Sequence, residues 1–552
     1  MYIYNYDNLK QIINTEHGQE YYKKMEEIYF SEYANNPIPV LNYSFAKLYY
    51  IDGDRSKFQA MYFSRRRRLM VLQILALGND KYLEPLEEIL SAICDEFTWV
   101  VPAHNFVKKD NTFDYSALDL FASETGFYLA ETCYVFKDKL SLDIRNRIYF
   151  SVEEKIIKKY EARTFDWETR KTNWSAVCAC GVGLAYLYLF PDRFENVKDR
   201  LFHSFNCYLS GLDASGYISE GYYYWMYGFG FFTLFFDVYS QLFNENLEIL
   251  KSDVIKKTLK FAQNSVLSED VVLPFADGGS VGEHTVTGVL CNIERFYGVD
   301  LYLNKKLFEP GTKVLGFRVL VCLDKQDEQK ELKKETIYYG ENQVFIRQNL
   351  NYVLAAKGGN NNEIHNHNDV GCFSLVKNNK QIIADVGVGK YTRDFFDDFN
   401  VRYGEEIFVC SSLAHSVPIV DGLVQSWGVE YGAKVLEQNE KCFSIDISGA
   451  YKTENQKIVV SYYTEENFVK VKYNCAEIKE KVVFRFVSFI KPKVTTENVV
   501  INDVSISNNL NVEAVINEKI YANASAKDTL VYTIDYIVEK QGDISIEFYF
   551  NV

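Results

Sequence analysis

Two histidines one residue apart, His365 and His367, stand in the segment NNNEIHNHNDVGCFSLVKNNKQIIADVG (360–387). Asp385 ends the apolar run that follows, and a third histidine comes at His415. The chain has only 7 histidines in 552 residues, so this clustering calls for a chemical reason. On an extended strand, residues i and i+2 point to the same side. His365 and His367 are therefore expected to face one cleft together, with Asn366 turned away. FSLVKNNKQIIAD reads as a β-hairpin turning at Asn378-Asn379, which carries Asp385 back toward its start. His367, Asp385 and His415 then make a set of two nitrogens and one oxygen. That set suits Zn2+ first, with Mn2+ the alternative. The competing reading is three unrelated polar residues at sheet ends.

The elements that must position these residues change period along the chain. Up to about residue 310 the pattern is helical: in ALDLFASETGFYLAETCYVF, Leu118, Phe121, Ala122, Leu129 and Cys133 fall on one stripe. Similar stretches recur, and only 9 prolines interrupt the whole chain, so long helices are allowed. Many helices joined by short loops predict an incomplete (α/α) toroid of helical hairpins. From about 335 the period becomes two. In DISIEFYF, Ile544, Ile546, Phe548 and Phe550 share one face. Such segments without intervening helices predict antiparallel sheets packed as a sandwich. The expectation is a multidomain α+β protein, with a toroid over 1–320 and an antiparallel β-sandwich over 321–552. The linker is expected between LYLNKKLFEPGTK and ETIYYGENQVFIRQ, with the substrate in a cleft between two unlike domains.

Composition narrows the partners. A net charge of −15 weighs against nucleic acid, although local arginines and lysines can still receive an anionic substrate. The 11 cysteines are scattered without metal-finger spacing and read as reduced, mostly buried thiols. No uninterrupted run of about 18 strongly apolar residues is present, so no membrane partner is expected. The N-terminus, MYIYNYDNLKQIIN, lacks the layout of an export signal, which predicts a cytoplasmic protein. A trimmed secreted or periplasmic chain would read the same way. The run SRRRRLM (64–70) invites a polyanion-binding reading. Four consecutive arginines spread around a helix, however, so solvated-face and salt-bridge roles are favoured.

The stretch HNHNDVGCFSLVKNNKQIIADVGVGKYT, with Arg402 and then LAHSVPIVDGLVQSWG, resembles the signature region of the heparinase II/III-like polysaccharide lyases. Four earlier pieces match in order: ICDEFTWVVPAH, LDLFASETGFYLAE, NWSAVCACGVG and SGYISEGYYYWMYG. The matching blocks lie over roughly residues 90–430. The resemblance implies a toroid followed by β-sandwich domains. It also implies cleavage of a sugar chain beside a uronic acid by β-elimination. The carboxylate must be neutralised, a base must take the C5 proton, and an acid must protonate the leaving O4.

By that resemblance Asn173 is the carboxylate-binding amide, although an asparagine before an apolar helix also reads as an N-cap. Some family branches place a histidine next; here it is Trp174, which leaves the base on the toroid side open. Tyr224 aligns best with the catalytic tyrosine, whose ordinary pKa of about 10 would have to fall for it to act as a base. Tyr222, Tyr223 and Tyr227 crowd the same segment. His365 matches the catalytic histidine of the sandwich side, and His367, Asp385 and His415 match the metal set. Substrate contacts are expected from His104, Trp174, Glu220, Arg393 and Arg402. For His104 a buried, hydrogen-bonded histidine fits equally well, and Glu220 could orient the site or stabilise its turn.

The expected substrate is an anionic uronic-acid polysaccharide or oligosaccharide. Heparin or heparan sulfate comes first, and chondroitin or hyaluronan second. The alternatives are an alginate or other uronide lyase, a toroidal glycoside hydrolase using Asp213, Glu220 and Asp277, and a non-catalytic polysaccharide-binding protein. Oligomeric state is left open.

Overall fold

The computed structural model describes residues 2–105, 113–245, 247–269, 271–278, 287–302, 315–323, 333–397, 402, 407–453, 455–496 and 498–552. The expected linker at 301–335 falls largely outside the described residues. The chain forms two compact units. One comprises Met1–Gly216, Tyr224–Leu259 and Glu283–Glu328; the other comprises Tyr217–Tyr223, Lys260–Gly282 and Gln329–Val552. The expected division at 320/321 followed the change of period. Two segments that precede it, Tyr217–Tyr223 and Lys260–Gly282, pack with the C-terminal unit and bring Glu220 and Asp277 with them.

The N-terminal unit is built of packed helices. Helix Leu120–Val135 lies against Asn173–Leu189, which also contacts Lys198–Leu209. Leu120–Val135 starts after Leu118, with Asp119 as its N-cap. It is buried on nearly every side rather than along one stripe, because neighbours cover it all round. The close approach of the first pair requires Gly181. A Cβ there would stand 2.4 Å from the backbone oxygen of Ser123, so any larger residue forces the helices apart. Among the described residues, no helix is long and apolar enough to cross a membrane. All 11 cysteines are free, and all but Cys207 are buried.

Charge in this unit is directed inward. Arg65, Arg66 and Arg68, three members of the arginine run, are buried in helix Ser56–Gly78, so they do not form a solvated face. Arg66 grips Glu96 with two 2.6 Å hydrogen bonds, Arg65 adds a third at 3.0 Å, and Arg66 lies 3.5 Å over the Tyr62 ring. Two guanidinium groups share one buried carboxylate, so its removal leaves both without compensation.

Among the described residues, the C-terminal unit holds three larger antiparallel sheets. A five-stranded meander runs through Glu335–Tyr339, Val344–Gln348, Val353–Lys357, Phe373–Lys377 and Lys380–Ile383. An eight-stranded and a four-stranded sheet follow. Alternate residues of Phe468–Ile478, Lys481–Ser488 and Gly542–Asn551 point into one apolar core. Phe373, Val471, Phe484, Phe486, Phe548 and Phe550 meet there. Ile544, Ile546, Phe548 and Phe550 do share its face. The hairpin turns at Asn378-Asn379, both left-handed (φ 50° and 58°), as a tight two-residue turn requires.

Glu96→Ala is expected to destabilise the helical unit by about 3–5 kcal/mol, the usual loss when half of a buried ion pair is removed. Calorimetric unfolding checks this. A change within about 0.5 kcal/mol, ordinary for a surface substitution, would show that the arginine run does not anchor the unit.

Candidate functional site

In the helical unit, Asp119 ties two elements together. One carboxylate oxygen accepts from the Ala122 amide at 2.8 Å, and the other meets His104 Nδ1 at 2.9 Å. The His104 ring stacks on Phe121, with centroids 5.2 Å apart and planes at 11°, and lies 5.0 Å from the Trp174 ring. Asn173 is buried as the first residue of its helix. Thr172 holds the cap position, so the Asn173 amide does not serve as an N-cap. Helix Tyr222–Phe243 reaches Asn173 at Gly228, where a Cβ would lie 3.1 Å from the Asn173 Cβ. Tyr224 sits one turn earlier on that face. His104, Asn173, Trp174 and Tyr224 all belong to this unit. Of the four neighbouring tyrosines, Tyr222 and Tyr223 are buried, and the Tyr227 phenol bonds Glu124. Tyr224 is half-buried.

In the C-terminal unit the histidine segment is not a strand. Residues 362–365 form a turn, and His365 is left-handed, with φ of 57°. His365 and His367 therefore do not alternate as on a strand, and Asn366 is fully buried rather than turned away. The segment is held by its flanks. Asn360–Asn361 pairs with Gly428–Gly432. The Gln425 side chain accepts from Asn361 Nδ2 and from Val370 N, both at 3.0 Å. It donates to Val370 O at 2.7 Å, and Ser412 Oγ donates to Asn368 O at 2.8 Å.

The two rings meet on one carboxylate. Asp277 Oδ2 lies 2.6 Å from His365 Nδ1 and accepts from the Tyr391 phenol at 2.6 Å. Asp277 Oδ1 lies 3.0 Å from His367 Nε2. Burial alone would raise the Asp277 carboxyl, but the hydrogen bonds from both imidazoles hold it well below the usual carboxylate range. Ala276, next to Asp277, is also left-handed, with φ of 61°. Non-glycine residues held there cost about 1–3 kcal/mol each, and such strain clusters at functional sites. Glu220 is buried nearby. Burial raises its carboxyl, the His365 charge opposes the rise, and Asp277 adds to it.

His367, Asp385 and His415 come together, each buried, with one ligand atom apiece within 4.8 Å of the others. Their bonding fits a cation. A carboxylate and a carbonyl can only accept, so His367 Nε2 donates to Asp277, and His415 Nε2 donates to Val409 O at 3.0 Å. The lone pairs of the neutral rings then sit on Nδ1. His367 Nδ1 is buried with no partner within ordinary hydrogen-bond distance, and the Cys410 thiol is the neighbour that interacts with the ring besides Asp277. His415 Nδ1 faces Asp385 Oδ2 at 3.1 Å. A lone pair against a carboxylate oxygen is repulsive unless a proton or a cation is shared. Ligand imidazoles with the far N–H tied to an acceptor are the usual support of a metal site.

Arg402 is buried, donates to Asn366 O at 3.2 Å and covers the Phe395 ring at 4.4 Å, so it braces the histidine segment. Arg393 is partly exposed, with Nε 3.4 Å from Asp394. The residues that sequence reasoning missed are Asp277, as the partner of both histidines, and Tyr391. Asp277 had drawn notice only as a hydrolase carboxylate, and nothing in its spacing links it to a segment almost ninety residues away.

No family model and no curated protein matches the chain. Solved structures do. The crystal structure of heparinase III superposes with a TM-score of 0.60 at 12% identity, covering 98% of this chain and 92% of that one. A heparan sulfate lyase HepC mutant from Pedobacter heparinus gives 0.57 at 12%, covering 99% and 88%. The Streptomyces coelicolor A3 chondroitin AC lyase in complex with chondroitin sulphate gives 0.56 at 8%, covering 99% and 82%. At these identities the likeness is one of fold: helices first, then antiparallel sheets.

Zn2+ added to metal-free protein at about a hundred times its Kd is expected to stabilise the fold by about 2.7 kcal/mol. His415→Ala and Asp385→Ala should each remove most of that gain. Equal stabilisation of all three proteins in thermal unfolding would show that these residues hold no ion.

Proposed function

We propose that this chain, which has the polysaccharide-lyase fold of heparinase III and chondroitin AC lyase, cleaves a uronic-acid-containing glycosaminoglycan by β-elimination, with heparin or heparan sulfate the first substrate to test. The observation that carries the reading is His365: a partly exposed imidazole anchored through Nδ1 to a buried carboxylate, in a chain whose fold matches lyases along its length. In the reaction Asn173 donates to the uronate carboxylate and lowers the cost of charge at C5. His365 Nε2 takes the C5 proton. The electron pair forms the C4–C5 double bond as the C4–O4 bond breaks, and the Tyr224 phenol protonates O4. His104, Trp174 and Glu220 are assigned to the sugar flanking the bond, and Arg393 to its anionic groups. Arg402 contributes by holding the histidine segment.

His367, Asp385 and His415 would hold Zn2+, with Mn2+ the alternative. Such an ion would supply positive charge to the histidine segment and stiffen it. A hydrolase would need two available carboxylates. Both Asp277 oxygens are bonded to imidazoles and a phenol, and Asp213 accepts from the Ser215 amide and hydroxyl at 2.7 and 2.6 Å. That bonding favours elimination.

Incubation with a panel of uronic-acid polymers and oligomers is expected to produce ultraviolet-absorbing unsaturated ends. Tyr224→Phe and His365→Ala should each lower kcat by about 10²–10⁴-fold, the usual contribution of general acid–base catalysis. Undiminished turnover in both variants would remove these residues from the mechanism, and no absorbance with any substrate would refute the lyase reading.

A further inference from the structure

We propose that Asp277 is a positioning residue that sets two histidines in opposite tautomers, His365 with its proton on Nδ1 and His367 with its proton on Nε2. One carboxylate would thereby orient both the catalytic ring and a metal-ligand ring. The inference rests on the lyase reading for the role of His365, and on the donor set around His367 for the ion.

The geometry points to this division through the separate use of the two oxygens. Oδ2 receives His365 Nδ1 and the Tyr391 hydroxyl, each at 2.6 Å, while Oδ1 receives His367 Nε2 at 3.0 Å. An ionised carboxylate has no proton to give, so each bonded nitrogen must carry one. In a neutral ring the other nitrogen is then the base. That is Nε2 in His365, the nitrogen assigned to the substrate. It is Nδ1 in His367, the buried nitrogen on the side away from Asp277, in the residue grouped with Asp385 and His415. Two residues apart in sequence, the rings present opposite nitrogens to their tasks because they approach one carboxylate from opposite ends. The Asp277 side chain is fully buried, so water does not replace either bond. Tyr391 completes the acceptor and fixes the carboxylate plane.

Asp277→Asn separates this role from packing. The amide has the same shape, but one of its two acceptor atoms becomes a donor. Either His365 or His367 then faces an N–H with its own N–H, and one ring must flip or change tautomer. Zn2+ affinity, measured by competition with a chromophoric chelator, is expected to fall by about 10–100-fold. In the zinc-saturated variant kcat should fall on the order of 10²-fold while KM stays near the wild-type value, since no residue assigned to the sugar is altered.

A second measurement needs no variant of Asp277 and no turnover. With isotope-labelled histidine the chain shows only 7 imidazole signal sets, and single His365→Gln and His367→Gln variants assign the two of interest. Nitrogen chemical shifts of the zinc-loaded wild type are expected to report Nδ1–H for His365 and Nε2–H for His367. The same tautomer at both positions, or wild-type Zn2+ affinity in folded Asp277→Asn, would overturn the inference. If that variant does not fold, the wild-type spectrum still decides. The two readings fail separately. Opposite tautomers in a protein that cleaves no uronide would refute the activity and leave the arrangement standing, whereas matching tautomers in an active lyase would refute the arrangement alone.

Discussion

A buried imidazole has two ring nitrogens, and a dry interior penalises either one left without a partner. That constraint organises the C-terminal unit. His367 and His415 are completely buried, and each gives its Nε2 proton to a fixed acceptor, Asp277 or the Val409 carbonyl. His415 Nδ1 faces Asp385, and His367 joins the same group. His365 borrows the same acceptor from the other side. The loops, the left-handed residues at 276 and 365 and the Gln425 staple are all means of bringing these nitrogens to their partners.

The helical unit follows the same rule with different groups. Several of its acids are buried and paired. Glu96 binds Arg65 and Arg66, while Glu131 binds Arg318 and the Tyr188 phenol. Glu124 takes the Tyr128 and Tyr227 phenols. The end of helix Asn173–Leu189 carries Asn173 and Trp174, and the Asp119–His104 pair lies beside the Trp174 ring. Gly228 lets the helix that carries Tyr224 approach Asn173 closely.

Much of this was legible in the sequence because periodicity reports burial. The switch from helical stripes to alternation separated the helical part from the sheets, and the Asn378-Asn379 turn followed from its residue types. The grouping of His367, Asp385 and His415 was reached as well, but through an argument that fails for His365, which sits in a turn and not on a strand. Two features were hidden. The arginine run could not be assigned to the interior, since its partner Glu96 lies thirty residues away and burial of charge depends on who answers it. Asp277 could not be paired with the histidines, because a single carboxylate in a loop carries no period. Segments 217–223 and 260–282 join the sheet unit through such contacts, which composition does not register.

The choice between elimination and hydrolysis rests on where a proton goes and whether water enters the product. Digestion of a cleaved uronide in water enriched in heavy oxygen tests that most directly. Mass spectrometry is expected to find unsaturated ends and no heavy oxygen at the newly formed reducing end, because the departing O4 receives only a proton. Heavy oxygen incorporated at that new end, with no double bond, would mean that water attacked, and that the paired imidazoles serve some other chemistry.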